Sequence, residues 1–117
     1  MKESRDRRTG PSEIKGLYIV AAGKVLGRVY DGDVIFGRML PKLTFQVETS
    51  DFVDEVKFQI YSQGRSWATW EYRKPFRMFS KRAKNYWKES VLDQDVRVIV
   101  TTFYDRYVVD LRFVRSF

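Results

Sequence analysis

Residues 65–88 read RSWATWEYRKPFRMFSKRAKNYWK, and the fold turns on whether this stretch is strand, loop or helix. It holds seven aromatic rings, eight Lys or Arg side chains and one acid, Glu71. The second half carries a helical pattern. Proline suits a first helical position, and Pro75 precedes Phe76, Phe79, Ala83, Tyr86 and Trp87, which fall on one arc at 100° per residue. Arg77, Lys81, Lys84 and Lys88 fall on a separate arc. The spacing predicts a helix from Pro75 to about Val91, with Phe76 and Phe79 in the core and a basic stripe facing solvent. The first half has no single period that buries Trp67, Trp70 and Tyr72 together. It reads as a loop or strand edge, with one of Trp67 and Trp70 closing the core.

The charge is as uneven as the pattern. The chain has 22 basic and 15 acidic residues, a net +7. Residues 65–88 have 8 basic and 1 acidic residue, also +7, so the rest of the chain is balanced. Concentrated positive charge is the usual footprint of a polyanion partner.

Working outward, the flanks read as strand. Leu43, Phe45 and Val47 share one face, and Val56, Phe58 and Ile60 share another, each alternating with polar residues. With residues 50–54 as their connection, they read as a hairpin. Leu17 to Ala22 and Lys24 to Tyr30 read as one long strand bent at Gly23 and Gly27. Asp31-Gly32 signals a turn into a second arm, Val34 to Leu40. Val96, Val98 and Val100 alternate with Arg97, Ile99 and Thr101. After a turn near Tyr104-Asp105-Arg106, Tyr107, Val109, Leu111 and Phe113 alternate with Val108, Asp110, Arg112 and Val114.

At 117 residues the chain is long enough for one domain with an ordinary core. Residues 1–15 read as a flexible basic arm and 16–117 as the domain. The chain has no cysteine and no histidine. That excludes disulfides, Cys/His zinc sites, cysteine nucleophiles, a Ser-His-Asp triad and a histidine base. No cofactor is expected. The run 17–22 is too short to cross a bilayer and makes a poor signal peptide. No membrane partner is expected, and the expected location is the cytoplasm, or the host cytoplasm for a viral chain.

A bent first strand, two further strands, a helix and two closing strands, from Gly16 to Val114, resemble in their order the small OB-fold proteins that bind single-stranded DNA. That resemblance implies a mainly β chain with one helix: a five-stranded Greek-key barrel, helix between strands 3 and 4. It implies a sequence-independent, non-enzymatic binder of single-stranded DNA, or of RNA, at work in replication or repair, with a dimer as the first expectation for its assembly. Bacterial members often end in a long acidic tail, whereas this chain ends RFVRSF. Bases stack on aromatic rings while Lys and Arg follow the phosphates. The expected stacking residues are Tyr61, Trp67, Trp70 and Tyr72. The expected phosphate contacts are Lys57, Arg65, Arg73 and Lys74, with Arg38 and Lys42 behind them.

Two other readings compete. Glu55-Val56-Lys57 with the upstream Asp33, or Asp31, matches the Asp…Glu-x-Lys pattern of magnesium-dependent nucleases, a short pattern that is common by chance. Exposed Trp, Tyr and Arg also suit a protein–protein interaction or virion module.

Overall fold

In the computed structural model, residues 13–36, 43–78 and 93–114 are described. Nine strands run in chain order: β1 (Ile14–Ala21), β2 (Lys24–Val29), β3 (Val34–Phe36), β4 (Leu43–Thr49), β5 (Val56–Ser62), β6 (Arg65–Glu71), β7 (Phe76–Arg77), β8 (Gln94–Thr101) and β9 (Arg106–Val114). They form two open sheets, ordered β2-β1-β4-β7 and β3-β9-β8-β5-β6. Every neighbouring pair is antiparallel except β3 with β9. Phe45 and Val47 from the first sheet join Phe58, Ile60, Val98, Leu111 and Phe113 from the second in one hydrophobic cluster. The molecule is therefore a sandwich. Placing β4 with β7 in one sheet, and β5 with β8 and β9 in the other, is the division of strands B/E and C/F/G in immunoglobulin-type sandwiches.

This overturns the five-stranded barrel with its helix. Among the described residues there is no helix. Where the helix was to begin, Phe76 and Arg77 extend beside β4, opposite Val47 and Gln46. The Met78 N–H donates to the Phe45 carbonyl at 2.9 Å, and the Arg77 guanidinium donates to the Gln46 side chain at 2.7 Å. Phe76 is buried as expected, but by sheet pairing. Phe79, Tyr86, Trp87, Lys81, Lys84 and Lys88 lie outside the described residues.

The local patterns mostly hold, while the pairings differ. The alternating faces of β4 and β5 point into the core, yet the two strands belong to different sheets, so residues 50–54 cross between layers instead of closing a hairpin. The long bent strand is in fact the β1–β2 hairpin. Ala22 and Gly23, both at positive φ, make its two-residue turn. Gln63 and Gly64 do the same between β5 and β6, and of the loop or strand edge expected at Arg65–Arg73 it is the strand edge that forms, with β6 (Arg65–Glu71) at the margin of its sheet. Gly32 turns the chain, with the Asp33 N–H donating to the Tyr30 carbonyl at 3.0 Å. The arm that follows does not pair back on β2. It crosses to lie parallel to β9.

Candidate binding interface

A strand sends alternate side chains to opposite faces, so the inward set on β5 and β6 fixes the outward set. Val56, Phe58 and Ile60 are core, which leaves Lys57, Gln59 and Tyr61 facing out. Pairing places Trp70 beside Lys57, Ala68 beside Gln59 and Ser66 beside Tyr61. On the other side of β5, Thr101, Ile99 and Arg97 of β8 continue these rows, and Arg106, Val108 and Asp110 of β9 complete them. The outer face of the five-stranded sheet is thus a grid of three rows.

The upper row is Trp70, Lys57, Thr101 and Arg106. Trp70 is 49% exposed, and the Lys57 ammonium lies over its ring, 5.1 Å from the centroid. The middle row is Ala68, Gln59, Ile99 and Val108, three small or apolar residues and one amide. Ile99 is buried although it lies outside the central cluster, while Val108 beside it is 40% exposed. The lower row is Ser66, Tyr61, Arg97 and Asp110. The Gln59 amide donates to the Tyr61 hydroxyl at 2.8 Å and holds that ring in place. Four strand positions separate the rows of Trp70 and Tyr61, roughly 13 Å at the rise of an extended strand.

Charge on this face is largely self-compensated. Arg97 donates twice to the Asp110 carboxylate, at 2.8 and 3.1 Å. That hydrogen-bonded pair raises the Arg97 pKa and lowers that of Asp110. Arg112 donates to Asp95 at 3.0 Å. Lys57 and Arg106 form no ion pair among the described residues.

The expected site residues therefore divide. Tyr61, Trp70 and Lys57 share the face. Trp67 points inward and packs against the core, with its indole N–H buried and lacking a hydrogen-bond partner among the described residues. The Lys74 ammonium donates to the Ser50 and Asp51 carbonyls at 3.1 and 3.0 Å, which ties it to the 50–54 crossover. Arg65 is exposed at the β5–β6 turn, and Tyr72 and Arg73 are exposed beyond the end of β6. Arg38 and Lys42 lie outside the described residues. Gln59, Arg97 and Asp110 were missed, and only strand register could have found them.

The nuclease constellation does not assemble. Asp33 accepts from the Tyr30 N–H at 2.8 Å, and its carbonyl receives the Arg112 N–H at 3.0 Å. Glu55 and Lys57 sit at the other end of the sheet, in line with Arg106. Six strand positions of β9 separate Arg106 from Arg112, roughly 20 Å, too far for shared ligands of one ion. Among the described residues no three Asp or Glu side chains cluster as metal ligands. None of the described segments forms a helix long and apolar enough to cross a membrane.

The location of the charge also changes its meaning. The described residues hold 11 Lys or Arg and 12 Asp or Glu, a net of −1 against the chain's +7. The remaining segments therefore carry +8. Compared with known protein families, with curated proteins and with solved structures, the chain matches none.

Proposed function

We propose that this chain is a binding module, not a catalyst, and that an extended ligand lies across the outer face of its five-stranded sheet. The observation that carries this is the pair Trp70 and Tyr61, half-exposed on one sheet face with Ala68 and Gln59 between them. Two rings so placed could each stack against a flat group of one ligand. The ligand that the sequence favours is a single nucleic-acid strand, DNA before RNA. Bases would stack on the two rings, and Lys57 and Arg106 would meet phosphates. The +8 on the segments at 1–12, 37–42, 79–92 and 115–117 would add attraction that weakens with salt. A dimer working in the cytoplasm on strands exposed in replication or repair belongs to the same proposal.

A partner protein is the second reading, and one observation favours it. The sandwich has no net positive charge, and the Arg97–Asp110 and Arg112–Asp95 pairs neutralise much of the face. Tryptophan, tyrosine and arginine on one face also make a protein hot spot.

Titration of the full chain with oligo-dT, oligo-U and duplex DNA at low and moderate salt separates the two, followed by intrinsic fluorescence. The nucleic-acid reading expects quenching by single strands, weaker duplex binding and a steep salt dependence. It also expects Trp70→Ala and Tyr61→Ala each to cost about 5- to 150-fold, the range of one stacked base. If no oligonucleotide binds at low salt, the nucleic-acid reading fails and the protein reading takes its place.

A further inference from the structure

At the end of the sheet where Trp70 and Lys57 stand, the 50–55 crossover and the β8–β9 turn enclose a cleft of about 540 Å³. Four rings line it: Phe52, Trp70, Phe103 and Tyr104. Phe103 is 86% exposed and Tyr104 is 74% exposed. Single exposed rings are ordinary, but these stand on a braced turn. Buried Glu13 accepts from the Thr102 hydroxyl and from the Tyr104 N–H, the latter at 3.0 Å. The Thr102 N–H reaches the Asp105 carbonyl at 2.9 Å, and the Asp105 carboxylate receives the Ile14 N–H at 3.0 Å. Phe103 and Tyr104 meet edge to face, with centroids 4.5 Å apart and planes at 76°, and so form a two-walled corner.

The charge lining this cleft is negative on a basic chain. Glu13, Asp54 and Glu55 contribute three carboxylates against one ammonium, that of Lys57. That ammonium already sits over the Trp70 ring at 5.1 Å. Ring faces attract cations through their quadrupole, and substituted ammonium groups, which are weakly hydrated, gain most from an aromatic enclosure. Rings, carboxylates and an internal cation held on a ring face all point to the same class of ligand.

We propose that this cleft binds a substituted ammonium group, with Phe103 and Tyr104 as its walls, and Asp54 and Glu55 as its counter-charge. The group could be carried by a small molecule or by a methylated lysine side chain. The inference goes beyond the sheet-face reading: its walls and counter-charge, Phe103, Tyr104, Asp54 and Glu55, lie off that grid, although the cleft shares Trp70 and Lys57 with the upper row.

The test is an NMR titration of the full ¹⁵N-labelled chain with three probes: choline, trimethyllysine amide, and 3,3-dimethylbutan-1-ol, the neutral isostere of choline. Choline is expected to produce saturable shifts at residues 102–104 and at the Trp70 indole, with the isostere bound about fivefold more weakly or worse, the scale of one cation–π contact. Phe103→Ala and Glu55→Gln should each weaken binding about fivefold without changing the melting temperature, since both side chains are exposed. Lys57→Gln should tighten it by removing the competing cation. Tighter binding of trimethyllysine amide than of choline assigns the source to a modified protein, and the reverse to a small molecule. Equal binding of the isostere, the absence of saturable shifts, or weaker choline binding by Lys57→Gln would each overturn the proposal. Oligonucleotide binding by Phe103→Ala, measured in parallel, separates a failure here from a failure of the sheet-face reading.

Discussion

Trp67 and Trp70 stand on one strand, three positions apart, and have opposite roles. Trp67 turns inward onto the core cluster, while Trp70 stands half in solvent with a lysine ammonium over its ring. On a helix a spacing of three would place both on one face. On a strand it must place them on opposite faces. The same division runs the length of the β5–β6 hairpin. Its inner face is Phe58 and Ile60, and its outer face is Lys57, Gln59 and Tyr61. Stability and recognition are thus allotted to alternate residues of a single segment, and substitutions on the two faces should separate cleanly.

The largest effect belongs to the inner face. Phe58 is fully buried, and Phe58→Ala should lower the unfolding free energy by about 3–5 kcal/mol in urea denaturation, with little change in m-value. Next comes Trp67, where two substitutions sharpen the contrast. Trp67→Ala should cost about 2–4 kcal/mol, because it empties partly buried volume. Trp67→Phe should cost less than about 1.5 kcal/mol, because it also removes an indole N–H that has no partner among the described residues. On the outer face, Trp70→Ala should change stability by less than about 0.5 kcal/mol while weakening any ligand of that face. A loss comparable to that of Trp67→Ala would erase the division between faces.

The smallest effect is electrostatic. Asp110 titrates below its usual range because Arg97 donates to its charged form. A lowered folded-state pKa means that the pair stabilises fully above the unfolded carboxylate pKa, about 3.9, and ceases to do so as pH falls through the folded value. Asp110→Asn should therefore be slightly less stable than the parent near neutral pH and equal to it at strongly acid pH. Both side chains are about half exposed, at 55% and 51%, so the difference should be small and should shrink further with salt. A thermal-melt series from acid to neutral pH checks it.

Period-2 alternation was legible at Leu43 to Val47 and Val56 to Ile60, where one face is buried. The cause is local, since each strand carries its own inside and outside. Pairing was not legible, because β4 and β5 read alike whether they share a sheet or face each other across a core. The turns at Ala22-Gly23 and Gln63-Gly64 escaped notice because an Ala or a Gln leads them, where Asn, Asp or Gly is the familiar signal. Phe76 misled for a different reason: its burial satisfies a helical stripe and a sheet pairing equally well. Of the site, Tyr61 and Trp70 could be named from residue type alone. Gln59 and Asp110 needed the register, and Phe103 needed the braced turn that displays it.

The crossing of β3 to lie along β9 also sets an order of events for folding. Val34 pairs with Arg112, and Glu13 holds Thr102 and Tyr104, so the N-terminal part of the described chain is completed by its C-terminal part. The β1–β2, β5–β6 and β8–β9 hairpins can close as soon as each is synthesised, over microseconds. The Glu13 contacts must wait until the β8–β9 turn has left the ribosome, and the β3 contacts until β9 has. A topology dominated by such distant partners folds slowly, in the millisecond-to-second range of all-β sandwiches. Until then the apolar side chains of β3 and β4 lack the sheet that covers them, so the nascent chain is at its stickiest until β9 emerges.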